Sequence, residues 1–172
     1  MEHINFIFPE IFISLSAMFL LIFGAFKKNS SSTVYLLAVL TLIISLGLII
    51  NFPPYQETYL FGNSYKIDQL STFMKVITII SGIFVLVSSY NYTKLEKIYN
   101  IEYSVLILCS ILGMLVMISS FDLIVFYIGL ELQSLSLYVL AAYNRNKIQS
   151  SEAGLKYFVL SALSSGLLLY GC

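Results

Sequence analysis

The stretch from Phe121 to Tyr170, FDLIVFYIGLELQSLSLYVLAAYNRNKIQSSEAGLKYFVLSALSSGLLLY, decides the fold. Its first apolar run, Leu123 to Ala142, is long enough to cross a bilayer as a helix, which takes about 20 residues. A short loop with Arg145 and Lys147 leads to a second run, roughly Ser151 to Cys172. One carboxylic acid, Glu131, stands near the middle of the first run. One lysine, Lys156, lies in the first two turns of the second. A charge at membrane depth costs ~2.5–3.5 kcal/mol on insertion scales, so an acid kept there is by default functional.

Four similar segments precede this stretch, at about Ile4–Phe26, Thr33–Ile50, Asp68–Tyr90 and Tyr103–Ser119. The second stops at Asn51-Phe52-Pro53-Pro54, because adjacent prolines cannot continue a helix. Tyr59 to Tyr65 reads as a short hairpin with Gly62-Asn63 at its turn. The expected fold is an all-α integral membrane bundle of six transmembrane helices, since helices satisfy every backbone group locally in lipid. Residues 1–102 hold three helices and their loops, and residues 103–172 hold helices four to six.

Composition agrees. The chain is 59% hydrophobic and 10% charged over 172 residues, with mean hydropathy +0.90; soluble domains average about 25% charged. Zero net charge gives no reason to expect a nucleic-acid partner. His3 is the only histidine, and no glycine-rich phosphate loop or metal-ligand cluster is present, so no metal and no cofactor are expected in this chain. Cys109, in an apolar run, reads as a small packed hydrophobe. No cleavable signal is recognised at the N-terminus. Abundant Tyr and Phe with no Trp hint at an AT-rich, mitochondrial-type genome.

Loop charge sets the orientation. Lys27, Lys28, Lys94, Lys97, Arg145 and Lys147 fall in alternate loops and should face the cytoplasm or matrix. The opposite loops hold Lys66 with Glu2, Glu57, Asp68 and Asp122, and both termini belong on that side.

Within the fifth segment, Tyr127, Glu131, Ser134 and Tyr138 share an arc of roughly 60°. A carboxylate flanked by hydroxyls can pass protons along a chain of hydroxyls or water; the plainer reading is a structural carboxylate bonded across a helix interface. Lys156 either pairs locally with Glu152, four residues earlier, or points inward and biases an acid in the bundle. Lys75 shares a stripe with Asp68, Ser71, Thr78 and Gly82, the mark of a helix face packed on protein; a structural part is favoured there over proton transfer, and Lys75 stands with Tyr127, Ser134, Tyr138 and Glu152 as an accessory candidate. Glu10 follows Pro9 near the outer end of segment one and is expected at the interface. Ser161, Ala162, Ser164, Ser165 and Gly166 suit close helix approach.

Four stretches carry a resemblance. Pro9-Glu10-Ile11, Asp68-Gln69-Leu70-Ser71-Thr72-Phe73-Met74-Lys75, and above all Gly129-Leu130-Glu131-Leu132-Gln133-Ser134-Leu135 with Ser151-Glu152-Ala153-Gly154-Leu155-Lys156-Tyr157-Phe158 resemble chain 2 (bacterial chain N) of NADH:ubiquinone oxidoreductase, respiratory complex I. The resemblance runs over essentially the whole chain. It implies an antiporter-like, proton-translocating membrane-arm subunit without redox chemistry of its own. NADH, FMN, iron–sulfur clusters and ubiquinone are then expected elsewhere in the complex. Glu131 matches the family's glutamate of the fifth helix, and Lys156 a lysine of the sixth; residues 103–172 begin the first half-channel. Where some members have proline, this chain has Ser136. Members have about fourteen helices, so a separate chain supplying the later helices is expected beside other membrane-arm subunits and lipid. The implied location is the mitochondrial inner membrane, or a bacterial plasma membrane. The alternatives are a subunit of a multi-subunit cation/proton antiporter and a purely structural membrane-arm fragment.

Overall fold

The computed structural model describes residues 6–26, 31–52, 54, 57–96 and 100–171. Six helices follow one another: α1 (Phe8–Phe26), α2 (Ser31–Asn51), α3 (Gln69–Leu95), α4 (Ile101–Ser119), α5 (Leu123–Ala141) and α6 (Ile148–Gly171). Each is long and apolar enough to cross a membrane. A two-stranded hairpin, β1 (Thr58–Leu60) and β2 (Tyr65–Ile67), joins α2 to α3. Boundaries shift by up to five residues from the sequence reading, and two of the shifts bear on the site. Helix α3 continues to Leu95, because Asn91 to Thr93 hold no breaker and Thr93 packs inside, its hydroxyl bonded to the Ser89 carbonyl. Helix α6 starts at Ile148, three residues early.

The core is built by α1 to α4. Ile13, Ala17 and Leu20 of α1 meet Val34, Ala38 and Leu42 of α2, Ile79 and Leu86 of α3, and Leu108, Ile111 and Leu115 of α4. Their spacing of three and four residues places one stripe of each helix inward. The other faces carry large exposed apolar side chains, as lipid contact requires. Helix α4 is the most enclosed and α6 the least. Helix α5 lies closely on α4, because Gly113 and Gly129 face each other. A β-carbon on Gly113 would lie 2.6 Å from the Gln133 nitrogen, and one on Gly129 2.9 Å from the Met117 nitrogen. Helix α6 rests chiefly on α5.

The hairpin pairs Thr58 with Ile67, Tyr59 with Lys66 and Leu60 with Tyr65. Its turn is longer than a Gly-Asn pair: Phe61, Gly62 and Asn63 all take positive φ. The turn also ties down the next loop, because the Ser64 carbonyl accepts the Phe121 N–H at 3.0 Å and the Asp122 N–H at 3.4 Å. The 57–67 segment and the α4–α5 loop therefore share one face. On the other face Lys147 Nζ meets Glu96 Oε2 at 2.6 Å, joining the start of α6 to the end of α3. These contacts separate the two sets of loops onto two faces, as the alternation of the helices requires. Lys66, the cation of the acidic face, is held by Glu57 at 3.1 Å and Asp68 at 3.6 Å. Lys27, Lys28 and Lys97, used in the same reading, lie outside the described residues, as do Glu2, His3 and Cys172.

Candidate functional site

Asp122 starts α5, accepting the Ile124 N–H. Nine residues on, and ~12 Å along the helix from Leu123, comes Glu131. Its Oε1 is buried and has no hydrogen-bond partner. The hydroxyls of its stripe are engaged elsewhere: Ser134 donates to the Glu131 backbone carbonyl at 3.1 Å, and the Tyr138 hydroxyl donates to Ser161 on α6. Tyr138 is buried, packed edge-on against Tyr157 and Phe158. Tyr127 is half-buried. The stripe thus supplies one orphaned carboxylate oxygen and a fixed α5–α6 contact; these side chains form no hydroxyl relay from the carboxylate. Ser136 turns its hydroxyl back to the Leu132 carbonyl at 2.9 Å.

Lys156 pairs with Glu152 at 2.6 Å, and both side chains are mostly exposed. The local pairing holds, and no described contact joins Lys156 to Glu131. Its depth needs correction. With α6 starting at Ile148, Lys156 lies ~12 Å in from that end, and Glu131 ~15 Å from the same face, so the two stand at nearly equal depth. The small residues of α6 divide. Ser165 is buried and Ser161 half-buried against α5, whereas Ala162, Ser164 and Gly166 are exposed, with nothing within 4 Å of a β-carbon on Gly166. A crevice of about 380 Å³ between α3, α4 and α5 is lined by neither Glu131 nor Lys156. Among the described residues no group of three His, Cys, Asp or Glu could hold a metal ion.

A second polar cluster lies at the acidic-loop face. Glu10 is not at the interface: it is 5% exposed. Its Oε1 accepts from Lys75 Nζ at 2.5 Å and from the Tyr65 hydroxyl at 3.0 Å, while Oε2 is buried with no partner. Lys75 is 3% exposed and stands 5.2 Å from the centre of the Tyr65 ring. Burial first, and then the Glu10 carboxylate, push the Tyr65 phenol well above its usual range. Of the stripe expected on α3, Ser71, Lys75 and Gly82 are buried, and it meets protein as anticipated. The missed signal was depth: α1 and α3 both start from the acidic face, which sets an acid and a base at comparable levels.

A family model described as NADH:quinone oxidoreductase/Mrp antiporter, TM, matches residues 120–172, the span of α5 and α6 that carries Glu131 and Lys156. The chain is similar to NADH-quinone oxidoreductase subunit N. It is 65% identical over 172 residues to that subunit of Pelagibacter ubique, covering 100% of this chain and 36% of the relative. It is 46% identical over 166 residues to subunit N of Bartonella bacilliformis, covering 96% and 34%. The chain thus spans about a third of the length of these curated relatives. A chain in a structure of respiratory complex I from Thermus thermophilus with bound aureothin superimposes with a TM-score of 0.79 at 23% identity, over 95% of this chain and 35% of that one. That likeness shows the fold, a multi-pass membrane bundle. The relatives named are bacterial subunits N, which gives the mitochondrial hint in the composition no support.

Proposed function

We propose that this segment is part of a subunit N, the bacterial form of the chain resembled above, in a proton-translocating NADH:quinone oxidoreductase. The 65% identity over the whole of this chain supports that reading, and it favours the quinone-linked enzyme over a multi-subunit cation/proton antiporter. The bacterial plasma membrane is then its location. Redox chemistry takes place in other subunits, with NADH, FMN, iron–sulfur clusters and ubiquinone there, and other membrane-arm subunits are partners. Residues 103–172 open the half-channel.

The observation that carries the mechanism is the buried, unpartnered Oε1 of Glu131. A carboxylate oxygen shut from water with no donor is costly, so a donor or a proton has to come from beyond these six helices. The exposed flanks of α5 and α6 are where further helices pack. Where the segment is made as a polypeptide of its own, a second polypeptide supplies them. Glu131 holds the proton, its charge set by that incoming partner. Lys156, at similar depth but bound to Glu152, adjusts the field.

NADH-driven proton pumping, normalised to assembled complex, tests the reading. Glu131→Gln keeps shape and most hydrogen bonds but cannot titrate, and is expected to assemble with strongly reduced pumping. Glu131→Asp retains more, and Lys156→Ala is milder than Glu131→Gln. Wild-type pumping in assembled Glu131→Gln would reduce the segment to a structural part.

A further inference from the structure

The crevice between α3, α4 and α5 has the form of a slot. Its walls are Val85 of α3, Ile107, Ile111 and Met114 of α4, and Leu137 and Leu140 of α5. Two hydroxyls that also line it are bonded inside α3: Thr78 donates to the Met74 carbonyl and Ser81 to the Thr78 carbonyl, both at 2.8 Å. Tyr92, Tyr103 and Tyr143 line its end at the basic-loop face, where α3 and α5 finish and α4 begins. From Tyr103 to Met114 the slot follows α4 for ~17 Å, close to one leaflet of a hydrocarbon core ~30 Å thick. Ser81 and Val85 are exposed, so the slot opens sideways to the bilayer. A helix is ~10–12 Å across with its side chains, too wide for about 380 Å³ spread over that length. One hydrocarbon chain has the required shape.

The mouth of the slot suits a polar head group. Tyrosine rings settle at the level of the head groups, and Tyr103 and Tyr143 meet there edge-on, their centres 5.5 Å apart. Arg145 donates its backbone N–H to the Tyr143 carbonyl at 3.1 Å, which holds it at the mouth. Its side chain is exposed, and among the described residues no ion pair engages it. Two carboxylates stand nearby. Glu96 is bound to Lys147. Burial, then Glu102, push the Tyr143 phenol up, and Arg145 acts the other way. Over the whole face Lys27, Lys28, Lys94, Lys97, Arg145 and Lys147 outnumber Glu96 and Glu102. A basic pocket between transmembrane helices takes anionic lipid head groups. We propose that the slot holds one acyl chain of an anionic phospholipid, with the phosphate beside Arg145 at the tyrosine rim. The chain covers apolar walls that the three helices leave open. It bridges α3 to α5, the helix that carries Glu131, across the face of α4.

Photolabelling of the assembled protein in phosphatidylcholine nanodiscs tests this. Two trace probes are compared, phosphatidylglycerol and phosphatidylcholine with the same diazirine-bearing chain, and labelled peptides are read by mass spectrometry. The quantity is label on Ile107, Ile111 and Leu137 relative to label on Phe84, an exposed residue of α3 that any surrounding lipid reaches. The ratio is expected to be several-fold higher for phosphatidylglycerol. Arg145→Gln should lower it about fivefold, the effect of one cation near an anionic head group. Leu137→Trp, which fills the slot, should remove the slot label and keep that on Phe84. The wild-type comparison needs no variant, and none of it depends on pumping, so it stands apart from the Glu131→Gln result. Absence of slot label with both probes would mean that protein closes the slot. Equal ratios for the two probes would mean that no head group is chosen. Either result would overturn the proposal.

Discussion

Asp68 closes the start of α3 with both its side chain and its backbone. Its Oδ1 accepts the Ser71 N–H at 2.7 Å, and its own N–H donates to Ser71 Oγ at 2.9 Å. That backbone bond, helped by the Ser71 hydroxyl and Lys66, holds its carboxyl below the usual range against partial burial. The sign follows. A lowered folded value means a stabilisation present above the unfolded pKa of about 3.9 and lost as pH falls through the folded one. Asp68→Ala is expected to cost about 0.5–2 kcal/mol at neutral pH. The gap to wild type should narrow in strongly acidic buffer, read by SDS titration with circular dichroism; an unchanged gap would deny the cap its charge. Asp68 was legible as the first residue of a segment, and Glu131 as an acid inside an apolar run. Glu10 was not: two residues into its helix, it has the spacing of an interfacial acid, and only Lys75 and Tyr65, distant in sequence, bury it.

At the scale of elements, length and apolarity marked all six helices, because the bilayer demands both. What they left open was which faces meet. Leu-, Ile- and Phe-rich helices look alike to lipid and to protein, so close approach is told by small residues only where both helices bring one. Gly113 and Gly129 show this, where α4 and α5 approach backbone to backbone. Gly129→Ala should therefore cost about 1–3 kcal/mol through overpacking and displace the helix that carries Glu131. Gly166→Ala, with open space around its β-carbon, should be close to neutral. SDS denaturation of the two variants in parallel makes the comparison; equal effects would refute the close α4–α5 contact. The polar stripe of α5 was also only half legible: the arc was right, but Ser134 and Tyr138 bond elsewhere, which no angular spacing can tell.

For the whole molecule, two sets of contacts define two faces: Lys147 with Glu96 on one, and Ser64 with Phe121 and Asp122 on the other. Single cysteines in place of Arg145 and Glu57 should react with a membrane-impermeant maleimide from opposite sides. Reaction from the same side would break the six-span topology. Both substitutions fall on exposed residues, so the labelling reports topology rather than damage. Seen from its last helix, the bundle is also a mechanical series. Helix α6 is the least enclosed and holds chiefly to α5, through Gly154 against Ala142 and Tyr138 against Tyr157, Phe158 and Ser161, while α5 grips α4 along glycine-lined backbone and α4 is enclosed by the core. A force applied at the C-terminal end should therefore peel α6 away first and at low load. Helix α5 should follow only at a higher one, and α1 to α4 should yield together. Single-molecule pulling from a lipid bilayer would record that order as two unequal steps before the main rupture. A single cooperative rupture would mean that α6 is bound as firmly as the enclosed helices.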